Sequence, residues 1–221
     1  MNNTNLRQQI LPFLADAHAR HSRHALNEQA VPSYLHPMFV MRETFWARIT
    51  AAYKQAPSGE RVLDFGSGLG AMTPWHLHGY KQVHLFDSSP LVITELSALK
   101  LRPDFSTLHI ETQETLAALP DHYFDTIFAL DVLEHVEDLP VIAKQLKRLL
   151  KPDGKLVVSS PTENWVYRTS RILGGDQYNG EFHVRAAKEV EADLAQEFKV
   201  QLKKRIFPVL TYFRIIVAKP K

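Results

Sequence analysis

The sequence predicts an α/β protein in which helices cover both faces of a mostly parallel sheet. From about residue 58 onward, short apolar segments alternate with segments of helical periodicity, a pattern typical of parallel strands joined by helices. The last two apolar segments differ, because only a short connection around Pro208 separates them. A short connection joins antiparallel strands, so we expect the final strand to run antiparallel to its neighbours.

Two helical segments precede this alternation. The first covers residues 5–28 and is expected to be interrupted near Pro12. The second covers residues 38–55, where large apolar side chains recur at helical spacing. We therefore expect an N-terminal helical cap at 1–57, followed by the main domain at 58–221.

The elements of the main domain follow from apolar runs and from the breakers that separate them. Strands are predicted at 61–64, 82–86, 107–111, 124–130, 155–160, 200–207 and 211–218. Helices are predicted at 70–78, 91–99, 139–150 and 186–198. The sequence Pro152-Asp153-Gly154 is interpreted as the turn that ends the third of these helices.

Composition excludes several functional classes. The chain has 221 residues, a net charge of +2 and no cysteine, so disulfides, thiolate metal sites and cysteine nucleophiles are excluded. Such a small charge does not indicate nucleic-acid binding, and we interpret Lys203-Lys204-Arg205 as a solvated face. No apolar run approaches the roughly 20 residues that span a bilayer, and no secretory signal opens the chain. We expect a cytoplasmic protein without a resident metal, and we interpret His18, His21 and His24 as surface residues.

The most informative stretch is RVLDFGSGLGA, in which a predicted strand ends in an acid and a glycine-rich turn. Glycines permit a tight turn and let a ligand approach the backbone, and a following helix offers free N–H groups. The spacing of Gly66, Gly68 and Ala71 satisfies the dinucleotide fingerprint, although a tight turn without a ligand would look the same. Asp64 disfavours a nearby pyrophosphate and favours a ligand that carries an ammonium group.

Four segments in order resemble the successive motifs of class I S-adenosylmethionine-dependent methyltransferases. They are VLDFGSGLG, HLFDSS, FDTIFALDVLEHVED and LKPDGKLVVSSP. The last two are most similar to the small-molecule branch that includes ubiquinone-pathway O-methyltransferases. This resemblance implies a Rossmann-like sheet of seven strands with an antiparallel last strand, and S-adenosyl-L-methionine as cofactor.

The resemblance also implies roles for individual residues. The glycine loop would pack against the methionine part of the cofactor, Asp64 would orient its amino group, and Asp87 would bind both ribose hydroxyls. Asp87 could instead cap a helix, a role that Ser88 or Ser89 could also fill. The residues implied at the cofactor are Asp64, Gly66, Ser67, Gly68, Gly70, Asp87, Ser88, Gln113, Glu114 and Leu130. Gln113 and Glu114 would lie near the adenine, although an exposed loop is an equal interpretation.

Two histidines are candidates for a general base. His135 follows the fourth strand, where ligands bind in open α/β sheets, but it could equally cap or brace the helix that begins at Leu139. His183 lies in residues 161–185, which are long for a strand-to-helix connection and rich in aromatic residues. We interpret that segment as a lid over the acceptor, and a short helix packed on the sheet edge is the alternative.

The N-terminal helices are a second candidate cover for the cofactor. Arg42 could pair with its carboxylate, and Trp46 could approach it. For Phe39 and Phe45 we expect instead that the side chains bury the helix against the sheet.

Methyl transfer to a small-molecule acceptor, with a hydroxyl as the favoured group, is therefore the predicted activity. ALDVLEH lacks the Asn-Pro-Pro-Tyr type of motif associated with exocyclic amine methylation, which argues against a DNA amino-methyltransferase. A non-catalytic cofactor-binding or partner-regulating protein and an NAD-dependent oxidoreductase stay open as alternatives.

Overall fold

The computed structural model describes residues 3–22, 26, 30–162, 184–206 and 212–221. The described helices are α1 (Asn3–Arg20), α2 (Val31–Tyr34), α3 (Phe39–Tyr53), α4 (Thr73–Gly79), α5 (Pro90–Lys100), α6 (Gln113–Ala118), α7 (Leu139–Leu149) and α8 (Ala187–Glu197). The strands are β1 (Gly59–Phe65), β2 (Tyr80–Phe86), β3 (Leu108–Glu111), β4 (Phe124–Leu130), β5 (Leu150–Pro161), β6 (Phe198–Ile206) and β7 (Phe213–Pro220). Two short 3₁₀ turns lie at Pro103–Phe105 and Leu133–His135.

The described strands form one seven-stranded sheet in the order β3-β2-β1-β4-β5-β7-β6. β1, β2 and β3 pair in parallel, as do β4 and β5, whereas β7 runs antiparallel to both β5 and β6. The predicted fold class is thereby confirmed, including the antiparallel last strand. The chain divides into two compact units, Met1–Leu119 and Pro120–Lys221. The proposed division into a cap at 1–57 and a domain at 58–221 stays a prediction.

The first unit is built around β1 and β2, whose carboxyl-terminal halves are fully buried. Strands that are covered on both faces lose their alternation and become continuous apolar runs, as VLDF and VHLF nearly do. The two strands end in register at Phe65 and Phe86, whose rings stack with centroids 5.1 Å apart. The segments that follow β1 and β2 therefore begin at the same level of the sheet.

The N-terminal helix differs from the prediction, because α1 continues through Pro12 without interruption. Its end is fixed by a buried carboxylate on α5. Glu95 is 3% exposed, and its two oxygens accept hydrogen bonds from Arg20 at 2.6 and 2.8 Å. His21 lies 2.8 Å from the same carboxylate, so it is not simply a surface residue as expected. The Arg20 guanidinium holds the pKa of Glu95 below its usual range.

The second unit is built around β4 and β5, and here the turn prediction needs correction. α7 ends at Leu149 and β5 begins at the next residue, so Pro152-Asp153-Gly154 lies within the strand and not in a helix-ending turn. The pairing with β4 shifts between Phe124 and Thr126, which accommodates these extra residues as an irregularity. Lys203, Lys204 and Arg205 are exposed on β6, as expected for a solvated face.

Most of the predicted lid lies outside the described residues, and so do its aromatic side chains and His183. In the described part of the chain, no helix combines the length and the apolar character needed to cross a membrane. The expected cytoplasmic location stays a prediction.

Candidate functional site

The glycine loop, Gly66–Gly70, leaves the carboxyl end of β1 in a conformation that side chains disfavour. Gly66, Gly68 and Gly70 have φ values of 74°, 50° and 71°, all in the left-handed region. The N–H groups of Gly66 and Ser67 donate to the carbonyl oxygen of Phe86 at 2.8 and 2.9 Å. The loop is thus anchored to β2 before any ligand is considered.

Asp87 holds the loop from the other side. Its Oδ2 accepts a hydrogen bond from Gly68 N–H at 2.9 Å, and its Oδ1 accepts one from Ser89 N–H at 3.0 Å. Ser89 takes the N-cap position of α5 without a side-chain cap bond, and Ser88 is exposed beside it. Both carboxylate oxygens of Asp87 thus contact backbone N–H groups at the start of the two segments that follow β1 and β2. Asp87 therefore braces the glycine loop.

Asp64 is buried at the end of β1, with 3% of its surface exposed. Its Oδ2 lies 3.2 Å from Nε2 of His76, a fully buried residue of α4. Sequence reasoning missed His76, although a buried acid calls for a partner and α4 follows the loop directly. The helix itself begins at Thr73 and not at Gly70 as predicted.

The N-terminal helices contribute buried polar and aromatic groups to the same unit. Arg48, which is 3% exposed, donates to the hydroxyl of Tyr34, and the Trp46 indole N–H donates to the carbonyl of Tyr34 at 3.2 Å. Trp46 stacks on Trp75 of α4 with ring centroids 5.9 Å apart. The α2–α3 segment is therefore packed directly against the helix that follows the glycine loop.

Two expectations for α3 have different outcomes. Phe45 is buried as expected, but Phe39 is 67% exposed, so the interpretation of Phe39 as a core residue is wrong. It begins the first turn of α3, where its ring lies 5.7 Å from the Arg42 guanidinium. Arg42 is half-buried and donates to Glu43 at 3.3 Å and to the His36 carbonyl at 3.1 Å. Its role toward a carboxylate stays a prediction.

The residues after β3 form a helix and not a loop. Thr112 caps α6, and both Gln113 and Glu114 are exposed on its first turn. The buried acid here is Glu111, whose Oε1 lies 2.6 Å from Nδ1 of His84. That hydrogen bond lowers the pKa of the Glu111 carboxyl, and burial opposes it by raising the pKa.

This pair predicts a pH-dependent stability. Because the folded-state pKa of Glu111 is lowered, its stabilising contribution is present above the ordinary carboxyl pKa of 4.5 and is lost as the pH falls through the lower folded value. We expect Glu111→Gln to reduce the free energy of unfolding by about 1 kcal/mol at pH 7. The difference from the wild type should shrink below pH 4.5, as measured by urea unfolding. Asp104→Asn, at an exposed position, is the control. A difference that stays constant down to pH 3 would contradict the prediction.

In the second unit, a strained turn follows β4. Asp131 has φ 55°, which is uncommon for a residue with a side chain. Its N–H donates to the Ser159 carbonyl at 2.9 Å, and its Oδ1 accepts from the Ser159 hydroxyl at 2.5 Å. Leu130, the last residue of β4, is half-buried before this turn. Ser159 was not predicted from the sequence, since serine in a buried strand carries no pattern of its own.

The predicted base His135 is exposed at the end of the 3₁₀ turn Leu133–His135. The alternative that it caps α7 is wrong, because Asp138 is the N-cap and accepts from Val141 N–H at 3.3 Å. Glu134 is buried beside it, and its carbonyl accepts from Val184 N–H at 2.9 Å. The other predicted base, His183, lies outside the described residues.

In this cysteine-free chain, histidine and carboxylate side chains are the groups that could hold a metal ion. In the described ranges, no group of three His, Asp or Glu side chains is placed to hold a metal ion. His24 lies outside these ranges.

Together the described groups of the first unit suit a ligand with several polar parts. The three glycines leave the backbone uncovered at alternate positions of the loop, and a Cβ at Gly70 would lie 2.7 Å from the Thr73 hydroxyl oxygen. That hydroxyl is fully buried and has no hydrogen-bond partner among the described residues. Asp64 supplies a buried carboxylate, and Asp87 supplies a second carboxylate beside the glycine loop. A cation, a diol and a further hydrogen-bonding group would be satisfied here.

Comparison with known proteins places the chain in a methyltransferase family. Residues 38–202 match the model of a family described as a methyltransferase domain. A ubiquinone biosynthesis O-methyltransferase of Rhodopseudomonas palustris (strain BisB5) is 33% identical over 121 residues, which make up 54% of this chain and 47% of the relative. The chain therefore spans about half the length of the relatives it matches.

Solved structures show the same fold at low identity. A SAM-dependent methyltransferase from Aquifex aeolicus has a TM-score of 0.63 and 19% identity, over 78% of this chain and 89% of the other. The magnesium protoporphyrin IX methyltransferase from Synechocystis PCC 6803, solved with bound SAH, has a TM-score of 0.63 and 20% identity, over 95% of this chain and 100% of the other. These likenesses support the Rossmann-like arrangement of the sheet.

Proposed function

Because this chain belongs to the class I S-adenosylmethionine-dependent methyltransferase family, we propose that it transfers a methyl group from S-adenosylmethionine to a hydroxyl of a small-molecule acceptor. The observation that carries the proposal is the clamp between Asp87 and the glycine loop. The loop lacks a side chain at its three glycines, is held in the left-handed region at those positions, and is fixed to Asp87 through Gly68 N–H. Such a rigid backbone lets a nucleoside ligand approach closely without reorganisation.

The residues of the first unit match the parts of the cofactor. The carboxylate of Asp87, at the end of β2, would accept hydrogen bonds from both ribose hydroxyls, with Ser88 beside it. Gly66, Ser67, Gly68 and Gly70 would line the methionine part, and Gln113 and Glu114 would face the adenine from the first turn of α6. The ammonium group of the cofactor would pair with the Asp64 carboxylate. This pairing would offset the cost of burying a charged carboxylate. Arg42 would approach the carboxylate of the cofactor from α3.

When bound, S-adenosylmethionine supplies a methyl group on a positively charged sulfur. The protein's main task is then to hold the acceptor oxygen about 3 Å from that methyl group and in line with the bond that breaks. Leu130 would form an apolar surface under the cofactor, and the turn fixed by Asp131 and Ser159 would set the path of the chain after it. His135, exposed after this turn, would remove the hydroxyl proton as the acceptor oxygen attacks.

A hydroxyl acceptor is supported by the name of the Rhodopseudomonas relative, which is an O-methyltransferase. A hydroxyl must lose its proton during methylation, and histidine is the side chain type that most often accepts a proton in catalysis at neutral pH. The two observations point to the same acceptor chemistry. His183 is the second proposed base, on the proposed lid at 161–185.

The proposal is tested by calorimetric titration of the purified protein with S-adenosylhomocysteine, with NAD as the parallel ligand. We expect micromolar binding of S-adenosylhomocysteine, corresponding to about 8 kcal/mol, and no comparable binding of NAD. A screen of hydroxylated aromatic compounds, followed by mass spectrometry, should then detect a product heavier by one methylene unit. The matched compounds with the hydroxyl removed are the control.

Each result has a definite meaning. Binding of NAD alone would overturn the proposal in favour of an oxidoreductase. If a folded protein that has been freed of carried-over ligand bound neither compound, a non-catalytic role would replace it. Binding of S-adenosylhomocysteine with methylation of an amine or carbon acceptor would leave the cofactor assignment intact and overturn the hydroxyl acceptor.

A further inference from the structure

His76 is a buried histidine that none of the roles above uses. Its side chain is fully buried, and its Nε2 lies 3.2 Å from Oδ2 of Asp64. An ionised carboxylate can only accept hydrogen bonds, so the imidazole Nε2–H is the donor. The contact joins α4 to the end of β1, directly across the glycine loop that connects them.

The imidazole is surrounded by packed aromatic residues of α4 and the start of β2. The ring of Tyr80 packs edge-on to His76 with ring centroids 6.2 Å apart, and the hydroxyl of Tyr80 donates to the Ala56 carbonyl at 2.6 Å. Trp75, the residue before His76, is stacked on Trp46 of α3. Because the imidazole is fully buried and packs against the Tyr80 ring, it has little freedom to turn away from Asp64.

Asp64 lies in an electrostatic environment to which the N-terminal helices contribute. Burial raises the pKa of the Tyr34 hydroxyl, the Arg48 guanidinium lowers it, and the Asp64 carboxylate raises it further. The charge of Asp64 therefore acts on the Tyr34 hydroxyl, which also accepts a hydrogen bond from the buried Arg48. Two polar partners of the first unit, His76 directly and Tyr34 through space, thus interact with this carboxylate.

A carboxylate with one oxygen fixed has a defined direction for the other. If Oδ2 is committed to His76, then Oδ1 points to one place, and an ammonium group must come to that place to pair with it. Without the donor, the carboxylate could rotate, and the position of its charge would no longer match the ligand. Misplacement of a binding group by about 1 Å is enough to lose most of its contribution.

We propose that His76 is a positioning residue of the cofactor site, which orients Asp64 toward the ammonium group and so makes the protein select ligands that carry the amino-acid part of S-adenosylmethionine. This inference rests on the proposed function, because it assigns Asp64 to the ammonium group. It adds a residue that the glycine-loop pattern does not contain. His76 acts through Asp64 and does not touch the reacting atoms.

The test compares two ligands that differ only in the amino-acid part. S-adenosylhomocysteine carries it, whereas 5′-methylthioadenosine keeps the adenine, the ribose and the sulfur without it. We expect His76→Leu to weaken S-adenosylhomocysteine binding at least tenfold and to change methylthioadenosine binding less than twofold, both by competition titration. His76→Gln, whose amide can still donate to Asp64, should stay within threefold of the wild type for both ligands.

Two further variants calibrate the comparison. Tyr80→Phe removes a buried hydrogen bond next to His76 without touching Asp64, so it should leave the ratio of the two affinities unchanged. Asp87→Ala should weaken both ligands alike, because both contain the ribose. Thermal melts establish that each variant is folded. If His76→Leu does not fold, His76→Met takes its place, since methionine fills irregular space.

A measurement on the wild type complements the variants. In a spectrum of the ¹⁵N-histidine-labelled protein, the resonance that is lost in His76→Gln should shift with S-adenosylhomocysteine and not with methylthioadenosine. Equal loss of both ligands in the apolar variant, or equal shifts in the spectrum, would overturn the positioning role while the proposed function stands. If the wild type bound neither ligand, the proposed function itself would fail, and the inference with it.

Discussion

Asp87→Ala is expected to weaken the binding of S-adenosylhomocysteine at least a hundredfold, about 2.8 kcal/mol. Two contributions are lost together. The ribose loses its acceptor, and the glycine loop loses the hydrogen bond from Gly68 N–H to Oδ2, which is 2.9 Å long. The loop would then have to be ordered at the moment of binding, and that conformational entropy counts against affinity. Isothermal titration calorimetry measures the change directly.

Asp87→Asn separates the two contributions. Asparagine has the same shape, but its amide nitrogen cannot accept a hydrogen bond, so either the loop or the ribose keeps its acceptor and the other does not. We expect an intermediate loss for this variant. Thr94→Ala, an exposed position on α5, is the control and should bind as the wild type does. If Asp87→Ala stayed within threefold of the wild type, neither the clamp nor the ribose role could be correct.

Gly79→Ala is expected to lower the free energy of unfolding by about 3 kcal/mol, the upper range for overpacking. Gly79 ends α4, and a Cβ there would overlap the carbonyl oxygen of Pro57 and lie 2.8 Å from the Tyr53 hydroxyl. Because the first of these obstacles is backbone, it cannot move aside by changing a rotamer. The cost should appear as a lower midpoint in urea unfolding with little change in slope.

His78→Ala is the matched control for this position. His78 is the neighbouring residue on the same helix but is exposed, so its substitution should change the stability by less than about 0.5 kcal/mol. A folded Gly79→Ala protein should still bind S-adenosylhomocysteine, because the glycine loop lies at the other end of α4. Unchanged stability in Gly79→Ala would show that α4 and the segment at Pro57 can separate without cost.

Much of the fold could be predicted because the periodicity is local. β4 was predicted at its observed bounds, and the short connection near Pro208 was enough to predict an antiparallel β7. The predicted interruption at Pro12 was wrong, because α1 continues through this proline although it removes one backbone hydrogen-bond donor. At α7 the sequence Pro152-Asp153-Gly154 looked like a turn, and pairing with β4 instead drew it into an irregular strand.

The candidate site also contains some features that the sequence predicts and others that it does not. The glycine loop and Asp87 follow from residue type and spacing, because only glycine adopts the left-handed region freely and because an acid directly after a strand stands at the sheet edge. Phe39 shows the limit of such reasoning. Its position in the helical pattern predicted burial, but which face of α3 is covered depends on its neighbours in space, and the structure leaves Phe39 exposed.

The sequence by itself thus determined the order of the strands along the chain, the family and the tight turn of the glycine loop. Only the tertiary structure decided which side chains serve one another, such as His76 for Asp64, Arg48 for Tyr34 and Ser159 for Asp131. The physical reason is the distance along the chain over which each kind of interaction acts. Backbone preferences act over a few residues and leave a pattern along the chain, whereas a hydrogen bond between buried groups depends on packing that brings distant residues to within about 3 Å.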